Sequence, residues 1–170
     1  EMAGGKPSSR YWISGASTAA LVALFALTRV QAGYWTNTET LFRHSLSVTL
    51  PNPIAHTNLG VALFEKGERD EAIHHFREAL RLDPSDPQLH YDFSVALGEV
   101  GDRREQALHL REAIRLDPNL ATAHHQLGLL YVDEGKAGEA ELEFQAALSV
   151  DPEYVDTQVD LGVLYAREGK

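Results

Sequence analysis

Histidine is the side chain in this sequence with the most chemical scope, and eight of them occur in a chain with no cysteine. His56, His90 and His124 recur every 34 residues, and His75 and His109 stand 34 apart as well. Imidazoles could ligate a metal or exchange a proton near neutrality. Members of one ladder would sit roughly 10 Å apart on neighbouring packed helices, too far to share one ion. Adjacent pairs such as His74-His75 and His124-His125 diverge by about 100° around a helix. The ladders therefore read as helix-packing or solvent-facing imidazoles, several of which could protonate between about pH 5 and 7. Carboxylates such as Glu139, Glu141 and Glu143 fall on a solvated helix surface. No phosphate-binding glycine loop, nucleophile motif or metal-ligand spacing is present. These patterns lead us to expect no catalytic residue, no metal site, no cofactor and no enzymatic activity in these 170 residues.

The elements that carry these side chains repeat with the same period. Gly33, Gly67, Gly101, Gly135 and Gly169 stand 34 residues apart, and Pro84, Pro118 and Pro152 keep step with them. Leu59, Phe93, Leu127 and Leu161 share one column, followed by Gly60, Ser94, Gly128 and Gly162. Four residues past the large apolar column come Leu63, Leu97, Tyr131 and Tyr165, one helical turn further along the same face. After each glycine a second helix is predicted, with columns Ala72/Gln106/Ala140, Phe76/Leu110/Phe144 and Ala79/Ala113/Ala147. Each unit stops at Asp-Pro, because proline lacks an amide donor and disfavours helical geometry in the residue before it. Such helix–turn–helix units cannot bury their apolar faces alone and stack on their neighbours.

These columns resemble the tetratricopeptide repeat. The stretch from Asn58-Leu59-Gly60 through Leu63, Gly67, Ala72, Phe76, Ala79 and Pro84 carries the resemblance, as does that from Leu127-Gly128 through Tyr131, Gly135, Ala140, Phe144, Ala147 and Pro152. It implies an all-α fold, a right-handed α-solenoid of antiparallel helix pairs, with repeats at 53–86, 87–120 and 121–154. Residues 155–170 would be the first helix of a truncated fourth repeat, and 34–52 a degenerate half repeat in which Phe42 and Ser45 take the Phe76 and Ala79 places. Gln106 departs from the small alanine, so the second helix pair is expected to sit slightly apart or rotated.

Residues 1–10 read as a loop. From Tyr11 to Thr28 no charge interrupts the sequence, and Arg10 and Arg29 bound this run. That length is enough to span a bilayer core of about 30 Å, and aromatic residues lie near both ends. Residues 11–33 thus read as an apolar transmembrane helix. In a competing reading, residues 19–32 form another repeat helix, since Gly33 falls in the glycine column; Arg29 in the Leu63 place counts against it. A cleaved leader is disfavoured because residues 1–10 do not resemble a translation start. Lys6 and Arg10 before the run place the N-terminal side in the cytoplasm and the repeats outside it. Gly33-Tyr34-Trp35 and Glu39 to Leu46 are similar to the junction, in transmembrane-and-tetratricopeptide-repeat proteins, between the last membrane helix and the repeat tail. That likeness implies a longer parent chain with a glycosyltransferase-like membrane domain upstream. The start at Glu1 and the stop at Lys170 agree with such truncation, or with an open end that stacks on another copy.

Charge narrows the partners. The formal net charge is −10, and residues 1–34 carry three cations against one anion, leaving −12 for the rest. A field of that sign repels phosphate, so nucleic acid is not an expected partner. The resemblance implies a peptide groove at Thr57, Tyr91 and His125; Val61, Val95, Leu129 and Val163; and Glu65, Glu99 and Asp133. The family's carboxylate clamp uses lysine, arginine and asparagine at these columns, and this chain lacks them there. An apolar stripe beside an acidic one suits a protein or peptide with apolar anchors and basic flanks. The expected function is a non-catalytic, membrane-tethered interaction scaffold in a longer chain. Alternatives are a recruiting tail for a membrane glycosyltransferase, or a structural subunit that stacks head to tail into a filament through Leu161, Leu164 and Tyr165, since such contacts do not close.

Overall fold

The computed structural model of the chain describes residues 37–48 and 51–169. Among these residues there are eight helices and no strand: α1 (Thr38–Val48), α2 (Pro53–Glu65), α3 (Arg69–Leu82), α4 (Pro87–Glu99), α5 (Arg103–Leu116), α6 (Ala121–Asp133), α7 (Ala137–Val150) and α8 (Val155–Glu168). The apolar run 11–33 and the junction residues up to position 36 lie outside the described residues. Among those described, no helix is long and apolar enough to cross a membrane.

Local chemistry sets the helix ends. Gly67, Gly101 and Gly135 adopt φ of 84°, 81° and 73°, left-handed values open to residues without a Cβ. Each lets the following amide reach back five residues: Glu68 N to Leu63 O at 2.9 Å, Asp102 N to Leu97 O at 3.0 Å and Lys136 N to Tyr131 O at 2.8 Å. That closure satisfies carbonyls the helix leaves open. At the other end of each unit, the aspartate before proline is extended and accepts the amide two residues on, as in Asp83 with Ser85 N at 3.1 Å and Asp117 with Asn119 N at 2.9 Å. α2 and α4 begin at proline, with Asn52 and Asp86 as side-chain caps. Asp86 accepts from both Gln88 N and Leu89 N, so Asp86→Ala is expected to cost about 1 kcal/mol. Thermal unfolding of that variant at neutral pH checks this, and an unchanged midpoint would refute it.

A three-residue turn folds α2 back on α3, and the same turn recurs in the next two units. The antiparallel sense shows in the facing residues: Gly98 near the end of α4 meets Gln106 near the start of α5, while His90 near the start of α4 meets His109 further along α5. Buried side chains follow the sequence columns. Leu59, Leu63, Ala72, Phe76 and Ala79 join Leu89, Phe93 and Leu97 in one cluster that runs from the first unit into the second. Leu110, Ala113, Ala123 and Leu127 continue it, then Ala140, Phe144 and Leu164. Phe42 and Leu46 of α1 pack against the first cluster, and Arg43 ties α1 to Glu71 of α3 at 2.7 Å.

Glycine and aromatic columns are matched across each pair. A Cβ at Gly60 would lie 3.1 Å from the Phe76 ring, and one at Gly128 would lie 2.6 Å from the Phe144 ring. In the second unit Ser94 takes the glycine place, and the smaller Leu110 takes the aromatic one. Gln106 is accommodated in a like manner. It is buried, Arg103 donates to its Oε1 at 3.1 Å, and its amide occupies the space a side chain at Gly98 would fill. The missing side chain at position 98 makes that room, a compensation that the expectation of a splayed or rotated helix pair did not include.

Candidate functional site

The first helix of each unit carries the groove columns, and between α2 and α4 they enclose a concavity. Val61, Phe64, Phe76, Tyr91, Asp92 and Val95 line a cavity of about 190 Å³. Three of the groove residues read from sequence, Val61, Tyr91 and Val95, thus come together. Phe64 and Asp92 complete the site and were not singled out. A signal for Asp92 was present: Asn58, Asp92, Gln126 and Asp160 form a polar column beside the large apolar column Leu59, Phe93, Leu127 and Leu161. Asp92 is half-buried and accepts a hydrogen bond from Gln88 Nε2 at 2.8 Å. Burial pushes its carboxyl above the usual aspartate range, and burial likewise raises the Tyr91 phenol. The result is an apolar pocket with one carboxylate on its wall.

The other columns are distributed less evenly. Thr57 donates its hydroxyl to the Pro53 carbonyl at 2.9 Å and lies in a separate shallow concavity with Ile54, Asp83 and Asp86. Leu129 is half-buried against the third cluster, and Val163 is 45% exposed. His125, at 5% exposure, is an inter-repeat packing residue. Its Nδ1 lies 2.9 Å from Thr157 Oγ1, its Nε2 lies 3.7 Å from Asp160, and its ring sits 5.0 Å from that of Tyr154. Leu164 is buried, and Tyr165 donates to Glu141 at 2.9 Å and accepts from Gln145 at 3.2 Å. Leu161 packs against the same third cluster. The apolar residues α8 leaves most open are Val155, Val159 and Val163.

Within the acidic column, Glu99 pairs with Arg69 at 3.1 Å and Asp133 with Arg103 at 3.3 Å, each bridging two successive units. Both carboxylates remain about half exposed or more, so these pairs add little stability and leave oxygen lone pairs for a ligand. The residue 30 places before Glu65 is Trp35, so the same cation is missing there. A larger concavity of about 740 Å³ lies at the edge of α5, between Arg103, Arg104, Leu108, Arg111 and Lys136. It contains no groove residue. Three of its cations are already engaged, Arg103 with Asp133, Lys136 with Glu134 at 2.6 Å, and Arg111 with the Tyr131 hydroxyl at 3.2 Å. The smaller cavity is the better candidate because groove residues line it and its wall is mostly apolar. Among the described residues, no group of three histidines or carboxylates could hold a metal ion.

Comparison with known proteins bears on the fold. No curated protein matches the chain by sequence. Among solved structures, that of MamA protein superposes with a TM-score of 0.71 at 20% identity, covering 91% of this chain and 84% of that one. The first tetratricopeptide domain of Spaghetti (RPAP3), bound to an HSP90 peptide SRMEEVD, gives 0.66 at 19% identity over 69% of this chain and 96% of that one. The Arabidopsis OM64 tetratricopeptide domain gives 0.65 at 17% identity over 68% and 95%. At such identities the likeness concerns the fold, an all-helical repeat solenoid. Family profiles match at two places, and residues 53–86 and 121–154 are thereby tetratricopeptide repeats.

Proposed function

We propose that this chain is a protein-interaction scaffold whose concave face binds a peptide carrying an apolar anchor next to a lysine or arginine. The observation that carries this reading is the cavity formed by Val61, Phe64, Phe76, Tyr91 and Val95, with Asp92 on its wall. An apolar side chain would fill the cavity, and a neighbouring cation would meet Asp92, with Glu65 and Glu99 further along the first-helix column. Burial of Asp92 favours such a ligand, because a cation relieves the cost of a desolvated carboxylate. The Spaghetti domain is described with an HSP90 peptide rich in glutamate and aspartate. The acidic groove here favours the opposite charge.

Tethering through residues 11–30, an extracytoplasmic position for the repeats and service to an upstream glycosyltransferase belong to the same proposal. Their support is the uncharged run, its flanking cations and the junction motif. Head-to-tail assembly is the weaker reading, since Leu164 is buried within the chain and Tyr165 is hydrogen-bonded there.

Selection from a random peptide display library on the full chain tests the groove. Recovered sequences should place an apolar residue beside lysine or arginine. Asp92→Asn should weaken the best of them by about tenfold, the cost of losing one charge-assisted hydrogen bond. Recovery of acidic peptides, or equal affinity for the variant, would exclude this site.

A further inference from the structure

Each repeat carries a polar pair 19 residues apart that bridges its two helices. His56 Nδ1 lies 3.0 Å from His75 Nδ1 in the first repeat, and His90 Nδ1 lies 2.8 Å from His109 Nδ1 in the second. In the third repeat the partner changes, and His124 Nδ1 lies 2.7 Å from a Glu143 carboxylate oxygen. His90 and His124 are oriented alike. The Nε2–H of each donates to a proline carbonyl six residues earlier, Pro84 at 3.1 Å and Pro118 at 3.2 Å. With Nε2 committed as a donor, Nδ1 is the atom each ring presents to the second helix.

That orientation limits how many protons a pair can hold. Neutral His90 has a bare Nδ1 that accepts from His109 Nδ1–H. A first added proton goes to the far nitrogen of His109, and the bond persists. A second would have to occupy His90 Nδ1, placing two N–H groups and two positive charges face to face at 2.8 Å. At His124 the corresponding proton instead points at a carboxylate and completes a charge-assisted bond. We propose that the His56/His75 and His90/His109 pairs form a proton-sensing element, which loosens the first two repeats on acidification through a repulsion that the His124/Glu143 pair does not share.

The surroundings favour this response. His75 is 9% exposed, so charge there is poorly solvated. Burial, ahead of neighbouring charges, pushes His56, His75 and His109 below the ordinary imidazole range. Glu71, Glu78, Glu105 and Glu112 pull the other way, and His74, Arg43, Arg81 and Arg77 add to the lowering. Lowered values mean that these three rings bind fewer protons in the folded chain than in the unfolded one. Their stability contribution is therefore present above the unfolded imidazole value of about 6.5 and is lost as pH falls toward the folded values.

Replacing His75 and His109 together by glutamate gives the first two repeats the pair found in the third. The test compares the full wild-type chain with the His75→Glu/His109→Glu variant at about pH 7 and about pH 5. The wild type should lose about 5 °C more of its melting temperature than the variant on acidification. Amide exchange in 53–116, corrected for intrinsic rate, should speed up more in the wild type than in the variant, whereas exchange in 121–150, which holds buried His125 in both proteins, should change alike. A parallel loss in both proteins, or a wild-type excess of exchange spread evenly over the three repeats, would overturn the proposal. Should the glutamate variant fail to fold, His75→Gln/His109→Gln, which removes one titrating ring from each pair but keeps hydrogen-bonding capacity, serves the same comparison.

Discussion

Gly128→Ala is expected to destabilise the third repeat by about 1–3 kcal/mol, although it adds one methyl group to a helix that would otherwise favour alanine. The added Cβ would stand 2.6 and 2.7 Å from two carbons of the Phe144 ring, closer than real Cβ contacts allow. Phe144 is fully buried between α6 and α7, so its ring has no open space to move into. Gly60→Ala should cost less, because its Cβ would meet the Phe76 ring at 3.1–3.2 Å, where a few tenths of an ångström suffice. The second repeat supplies the remedy, since fully buried Ser94 stands in the glycine place where the aromatic column holds Leu110. Phe144→Leu should accordingly recover part of the loss in a double-mutant cycle, with a coupling of about 0.5–3 kcal/mol. Urea unfolding of the four proteins measures this. Strict additivity would show that the ring and the added methyl do not compete for space.

The columns that build the helices were legible because each repeats three times in register. Helix ends follow from Gly67, Gly101 and Gly135 at the turns and from aspartate before proline, all of which act over fewer than six residues. What was not legible lies across helices. Gln106 looked misplaced in an alanine column until Gly98, on the facing helix, proved to have vacated the space. The histidine ladders run along the 34-residue period, whereas the contacts run across a 19-residue offset within one repeat. That offset occurs three times, as His56/His75, His90/His109 and His124/Glu143, so the signal was in the sequence.

Part of the candidate site was legible for the same reason. Val61, Tyr91 and Val95 converge because a first-helix column faces its counterpart in the next repeat. His125 shares the Tyr91 column yet is covered by Tyr154 at the end of its own unit and by Thr157 from the following one, contacts no single column reveals. Asp92 was passed over because an isolated aspartate on a helix is ordinarily solvated. Its importance arises from burial beside the cavity, which depends on how two repeats stack.

Phe93→Ala should have the largest effect of any substitution considered, about 3–5 kcal/mol. Phe93 is 1% exposed and sits where three helices meet. Its ring lies 6.0 Å from that of Phe76 on α3 and 4.7 Å from His109 on α5, and the Arg77 guanidinium stands 5.8 Å from its centre. It therefore holds the second repeat together and also fastens it to the first. In a solenoid, stability is a sum of repeat terms and nearest-neighbour interface terms, so weakening both at one point disturbs cooperativity as well as total stability. Denaturant unfolding of the variant should separate into two phases, with residues 53–82 losing amide protection before 121–150. Phe144→Ala would remove a ring of the same size from within the third repeat and leave the first interface intact. A single transition for Phe93→Ala, with protection lost evenly along the chain, would mean that the repeats are coupled by something other than this ring.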